Sequence, residues 1–324
     1  MKYFLGVDVG SSKTHALIAD QTGACIGFGK AGGGNHQGVG YERLAEVLRE
    51  SFAAACAAAR LERSQIAGAG FGIAGFDFPS ERGDHLRAIG ALGLSCPLEV
   101  VNDGANGLIA GTSRGIGVNV TAGSGVNGRG RGKHGQEGRV VGNGVDFGEY
   151  GGAIEIVLRA RQFVNYAWIK RIPPTKLTGI FLEATGARDE LDLMEGLSNG
   201  KYHLYPYLAL NIVDAARQGD AAALEVIRWS GEELGWIAIA IARQIEMEGE
   251  EVEIVLSGSV FEAGEILTEP MRALIQKHLP KAKMIRLEAP PVVGPLMLGM
   301  QMAGIDPYPL RDRLFATAKA LVQS

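Results

Sequence analysis

The chain reads as an α/β protein with room for two halves. Three observations say so. Short apolar strands alternate with helical stretches from end to end, glycine-rich turns follow the strands, and a strand-and-turn pattern near the start recurs after residue 116. Strands alternating with helices are the mark of α/β layers, and 324 residues allow two such domains.

The elements follow in order. Residues 3–9 (YFLGVDV) form a buried strand, 14–19 a second, and 24–30 a third after an Asp-Gln-Thr-Gly turn. Leu44, Leu48, Phe52, Ala55, Cys56 and Ala59 recur at helical spacing. A strand over 66–74 follows, then a helix that Ser80 is placed to cap. The strand over 98–101 ends on Asn102-Asp103, and a short helix covers 104–111. From Ile116 the segment GVNVTAGSG echoes the opening GVDVGSS, an internal repeat or a chance likeness of two β-turns. Residues 128–149 suit a hairpin and a binding loop. Beyond Gly151 the chain turns helical, with Leu224, Ile227, Leu234, Ile237, Ile241 and Ile245 in one stripe. A strand over 253–256, a helix over 262–278, a strand over 283–287 and helices over 293–303 and 309–322 complete the pattern.

Composition narrows the function. Apolar residues at 46% and charged residues at 21% exclude a disordered or fibrous chain. A formal charge of −4 argues against a nucleic-acid-binding surface as the main function. The longest later apolar run, 236–242, is far short of the ~20 residues that span a bilayer, so no membrane segment is expected. Cys25, Cys56 and Cys96 lie far apart with no CxxC pair, which fits a reducing cytoplasm and no zinc or redox motif. Glycine is the outlier, 47 of 324 residues, about twice the usual ~7%.

The glycines mark the candidate sites. In Asp8-Val9-Gly10-Ser11-Ser12-Lys13-Thr14 a carboxylate at a strand end precedes a tight turn of small residues, which suits Mg²⁺ and phosphate as well as a plain hairpin. Thr121-Ala122-Gly123-Ser124-Gly125 has the same chemistry without the carboxylate. Asp103, past a strand end and opening a helix, is placed for a general base or for an N-cap. Gly32-Gly33-Gly34-Asn35-His36 suits a loop that brings polar groups onto a small neutral ligand, with His36 a ligand contact or simply solvated. Ser257-Gly258-Ser259-Val260 could set backbone against a base or ribose. No Walker A sequence is present, and the two GxGxxG matches, at 70–75 and 123–128, open no helix at the pyrophosphate position.

The order of these motifs, closed by Pro291-Val292-Val293-Gly294-Pro295-Leu296-Met297-Leu298-Gly299, resembles the sugar kinase and actin superfamily. Within it the chain is similar, over residues 4 to about 304, to the BadF/BadG/BcrA/BcrD ATPase family and most to its N-acetylglucosamine kinase branch. The resemblance implies two ribonuclease-H-like lobes, 1–112 and 113–324, closing on ATP and sugar, with the helix over 309–322 packing back on the first lobe. It implies Mg²⁺ handled by Asp8 through water, and phosphates at Gly10, Ser11, Ser12, Lys13, Thr14, Gly123, Ser124 and Gly125. Gly258, Ser259 and Val260 would be the adenosine motif and Asp103 the catalytic base. Asn35, His36, Asp77, Asn127, Gly142, Asn143, Gly144 and Glu149 would hold the sugar.

The implied activity is transfer of the γ-phosphoryl of Mg·ATP to a hydroxyl, O6, of an amino sugar such as N-acetylglucosamine, by a cytoplasmic homodimer. Two departures bear on the sugar more than on ATP: Gly148-Glu149-Tyr150-Gly151-Gly152 stands where the kinases show Gly-Asp-Glu-Gly-Ser, and Ser11-Ser12 where they show Gly-Thr. The alternatives are a glucosamine or N-acetylmuramate kinase, or a redox-enzyme activator of the same ATPase family. The activators hold an iron–sulfur cluster with paired cysteines, whereas the three cysteines here read as small apolar fillers.

Overall fold

The computed structural model describes residues 1–323. The first sheet contains β1 (Tyr3–Val9), β2 (Lys13–Asp20), β3 (Cys25–Gly32), β4 (Ile66–Ile73) and β5 (Leu98–Asn102), in the order β3-β2-β1-β4-β5. β1 pairs antiparallel with β2 and parallel with β4. The second contains β6 (Gly117–Ala122), β7 (Val126–Arg131), β8 (Glu137–Arg139), β9 (Glu253–Ser257) and β10 (Lys283–Arg286), in the order β10-β9-β6-β7-β8. β6 is antiparallel to β7 and parallel to β9. Read from the other edge, the second sheet repeats the first strand for strand. The echo of the opening sequence after residue 116 is thus a duplicated topology and not a chance likeness.

Each sheet is covered according to its pleat. In β1 the odd positions Leu5, Val7 and Val9 join Ala16 and Ile18 under α1 (His36–Ala59) and α2 (Arg82–Gly90). α1 is broken at Gly40, whose φ is 80°. The even positions face the other way: Phe4 joins Leu17 and Cys25 under α10 (Val293–Met302) and α11 (Arg311–Gln323). In the second lobe Val118, Val120 and Ala122 meet α4 (Ala153–Trp168), α7 (Leu208–Arg217) and α8 (Ala221–Gln244) in one large core. α5 (Lys176–Thr185) and α6 (Glu190–Ser198) extend this helical layer.

The packing of the helices does not follow a single cut between residues 112 and 113. α3 (Gly104–Gly111), drawn from the first half, lies on β6 and β7 of the second sheet. α10 and α11, drawn from the second half, lie on β1, β4 and β3 of the first. Glycines let the middle layer pack this closely: a Cβ on Gly6 would stand 2.2 Å from Leu296 N, and one on Gly294 2.2 Å from Asn106 O.

Two helix starts also differ. Ser80 lies inside a short 3₁₀ turn, Pro79–Glu81, and Glu81 rather than Ser80 takes the free amides, accepting from Asp77 N and Phe78 N at 2.8 Å. The helix expected over 262–278 begins as a 3₁₀ turn (Ser259–Ala263), breaks at Gly264 (φ 76°), and continues as α9 (Glu265–His278). Among the described residues no helix is long and apolar enough to cross a membrane.

Candidate active site

The two β-turns that end the first strands of the sheets, and the start of α3 between the sheets, define the site. In the first lobe Gly10 N donates to Lys13 O (2.9 Å) and leaves Ser11, Ser12 and Lys13 exposed. The glycine run supports this turn from below. Gly34 N donates to Gly10 O (3.1 Å), and a Cβ on Gly33 would stand 2.0 Å from Ser11 O. Thr14 is a correction: it is fully buried and its hydroxyl donates to Gly32 O (2.9 Å), so it holds the glycine run and does not face a phosphate.

In the second lobe Gly123 N donates to Gly125 O (2.9 Å), and Ser124 and Gly125 are exposed. The first amides of α4 donate back to the turn, Ala153 N to Gly123 O and Ile154 N to Ser124 O, each at 2.9 Å. Buried Glu155 accepts from Gly152 N (2.8 Å) and completes that helix start. Gly258, at φ 100°, presses on the same turn, for a Cβ there would stand 2.2 Å from Ala122 O. The Arg286 guanidinium donates to Leu256 O and Gly258 O at 3.0 Å and fixes this third turn. Ser259 is exposed, but Val260 is a second correction: its side chain belongs to the core.

Asn102 and Asp103 divide two roles that the sequence left open. The Asn102 carboxamide accepts from Gly104 N (2.8 Å) and serves the helix start. Asp103 makes no N-cap bond to the amides further along the helix; the backbone N–H groups that act on its carboxylate are its own and that of the adjacent Gly104. Its carboxylate lies half-buried, 3.5 Å from Asn127 Nδ2 of the second lobe. Burial pushes it up to about 6, against the pull of Arg129. Across the cleft floor, burial and the Asp103 charge push Asp8 up to about 7, while a hydrogen bond from Asn106 Nδ2 (2.8 Å) and the Lys13 charge pull it down. A buried carboxylate whose ionisation is disfavoured by the charge of a second one forms a setting for a divalent cation. Among the described residues no three His, Cys, Asp or Glu side chains converge. The fit is therefore to Mg²⁺ held by one carboxylate, waters and phosphate oxygens, not to a closed protein cage.

Both folded carboxyls hold their protons more tightly than the unfolded chain does. Their contribution is fully present below pH ~4 and is lost as pH rises through about 6 to about 7. Without Mg²⁺, melting temperature should fall over that window. Asp8→Asn should flatten the slope, and adding Mg²⁺ should flatten it in the wild type. A slope unchanged by both would show that the two groups are not coupled in this way.

The residues expected to hold a sugar divide. Asn35 Oδ1 accepts from Gln37 N (3.1 Å), capping α1, and its Nδ2 donates to Ser11 Oγ (3.3 Å). His36 is largely enclosed, and its Nδ1 is buried without a hydrogen-bond partner. It stacks on Tyr41 (4.4 Å), meets His85 edge-on (4.8 Å) and is 11% exposed. The Glu149 carboxylate accepts from Val141 N through Oε1. Through Oε2 it accepts from Gly142 N, Asn143 N and Gly144 N at 2.8, 2.9 and 3.3 Å. It shapes the loop instead of reaching beyond it. Asn127, exposed Asn143 and the loop backbone still border the cleft. Glu149→Ala should free those amides and raise the KM for the acceptor by about tenfold, consistent with ~1.5 kcal/mol for hydrogen bonds to a charge. An unchanged KM in steady-state kinetics would exclude the loop from acceptor binding.

Several residues here went unread in the sequence. Asn106 supports Asp8, and fully buried Asn119 ties α3 to the second sheet by donating to Gly104 O (2.9 Å). Arg129 joins Asp77 at 3.0 Å.

The sequence model of the BadF/BadG/BcrA/BcrD ATPase family matches residues 5–299. The chain is 24% identical over 303 residues to an N-acetylmuramic acid/N-acetylglucosamine kinase of Clostridium acetobutylicum, covering 92% of this chain and 98% of that one. Its fold is similar to that of a provisionally assigned N-acetylglucosamine kinase from Chromobacterium violaceum, with a TM-score of 0.70 at 23% identity over 92% and 99% of the two chains. It is also similar to a ROK family glucokinase from Streptomyces griseus solved with glucose and AMPPNP, with a TM-score of 0.58 at 17% identity over 92% and 99%.

Proposed function

The chain belongs to the BadF/BadG/BcrA/BcrD ATPase family, and from that premise we propose that it is an ATP-dependent sugar kinase. It transfers the γ-phosphoryl of Mg·ATP to a hydroxyl, O6, of an amino sugar, N-acetylglucosamine first among them. The observation that carries this reading is the division of labour at Asn102 and Asp103. Asn102 serves the helix, so Asp103 is left as an uncapped, half-buried carboxylate between two exposed small-residue turns.

In this reading Asp103 accepts the proton of the attacking hydroxyl. A base whose affinity for protons has been raised toward neutrality suits that task. Ser11, Ser12 and Lys13 on one side, and Ser124 and Gly125 on the other, hold the phosphates. Gly258 and Ser259 face the adenosine. Asp8 would hold Mg²⁺ through water, and the bound ion would neutralise phosphate charge. Asn127, Asn143 and the backbone at Gly142 and Gly144 face the sugar. Phosphoryl transfer depends mainly on positioning and charge neutralisation, which these residues supply. The same reading places the protein in the cytoplasm as a homodimer. The names of its relatives support the substrate class, with N-acetylmuramate as the neighbouring choice.

The test is ADP release with Mg·ATP against glucose, glucosamine, N-acetylglucosamine, N-acetylmannosamine and N-acetylmuramate. Release that depends on an amino sugar is expected. Equal release with and without sugar would replace the kinase by an ATPase.

A further inference from the structure

Arg129 and Asp77 tie the two lobes together beside Asp103. Asp77 follows β4 in the first lobe, and Arg129 stands in β7 of the second. Arg129 Nη2 lies 3.0 Å from Asp77 Oδ1, with the side chains 9% and 14% exposed. Each partner is anchored within its own lobe. Arg129 Nη1 donates to Val140 O (3.0 Å). Asp77 accepts from Asn102 Nδ2 and Gln37 Nε2, both at 3.0 Å. A second interlobe bond, Asn127 Nδ2 to Asn102 Oδ1 (3.1 Å), runs alongside. The guanidinium stem passes directly over the start of α3: a Cβ on Gly104 would meet Arg129 Cγ at 3.0 Å.

A buried pair of this kind contributes little net stability, because desolvation of both charges offsets their attraction. What it does supply is register, since the fork has one geometry that satisfies both Asp77 and Val140. Asp77, expected to hold the sugar, is already engaged by protein donors on both oxygens. We propose that Arg129, through Asp77, is a positioning residue that locks the lobes in the register in which Asp103 meets the acceptor. This inference rests on the kinase reading and adds to it a role no sugar contact would have. Loss of the lock lets the lobes slip and admits water, so ATP is hydrolysed in place of transfer.

The test uses the whole protein and two variants. Arg129→Met combined with Asp77→Asn removes both charges and leaves neither one buried alone. Arg129→Lys keeps the charge but not the fork. Three quantities are read: kcat and KM for the sugar, the share of ADP formed without sugar phosphate, and the radius of gyration with Mg·AMPPNP by small-angle scattering. The double variant should lose about 10²-fold in kcat, the usual cost of a misplacement near 1 Å. Its sugar KM should hold within a factor of about three and its hydrolysed share should rise several-fold. Arg129→Lys should fall between it and the wild type. A raised KM with kcat and coupling intact would make Asp77 a sugar ligand and overturn the proposal, as would no change in any quantity. If the wild type shows no sugar-dependent ADP release, the kinase reading fails by itself. Scattering then decides the lock alone: expansion of the double variant supports it and an unchanged radius overturns it.

Discussion

Asp103→Asn should lower kcat by about 10²–10⁴-fold, the usual worth of a general base, with Mg·ATP binding retained. The substitution is isosteric, and the helix start it adjoins is served by Asn102, so the fold has no reason to change. The replaced carboxylate is raised to about 6 by burial, so a neutral amide there relieves a penalty. Calorimetry of nucleotide binding beside turnover of the sugar separates the outcomes. Low turnover with unimpaired binding is the expected pair. Turnover near that of the wild type would mean that the hydroxyl proton leaves by another route and that Asp103 is not the base.

Gly70→Ala should destabilise the protein by about 3 kcal/mol, at the upper end of what overpacking costs. That corresponds to a fall of about 5–10 °C in melting temperature. Its Cβ would stand 2.1 Å from Pro295 O and 2.8 Å from Gly299 N, both backbone atoms of α10 that cannot swing aside. Gly6, directly opposite Gly70 in the parallel register, meets the same helix at Leu296. Relief requires α10 to lift from β1 and β4, and α10 also packs on α3, which carries Asp103 at its start. Activity should therefore fall before the protein unfolds. Gly90→Ala is the control: nothing lies within 4 Å of its Cβ, and it sits at the end of α2. It should stabilise by about 0.5–1 kcal/mol through helix propensity. Equal melting temperatures for Gly70→Ala and the wild type would show that the seam between α10 and the sheet is not closely packed.

Much of this fold could be read from residue order. Apolar alternation marked the strands, and the opening motif after residue 116 marked the second sheet, because both signals are local. What could not be read depends on contacts between distant segments. Thr14 looks like one more hydroxyl of a phosphate turn, but the pleat turns it toward Gly32 and buries it. His36 looks like a loop residue until Tyr41 and His85 close around it. The Gly-Arg-Gly-Arg run of β7 has the appearance of an exposed hairpin. Arg129 is buried where Asp77 arrives from the other lobe and Val140 and the start of α3 close around it. Asn102 and Asp103 are adjacent in sequence, and only the direction of each side chain shows which one serves the helix.

The path of the chain also sets the order in which its parts can become whole. The first sheet is complete in strands by Asn102, yet the face carrying Phe4 and Leu17, which meets Ile109 and Ala110 of α3, gains most of its cover from α10 and α11, from Val293 onward. On a ribosome adding ~5–20 residues per second, that apolar face waits on the order of tens of seconds while the entire second lobe is made. The nascent first lobe is thus an open half-layer that a chaperone can recognise. It becomes a closed body only when the last helices emerge and settle into the glycine seam.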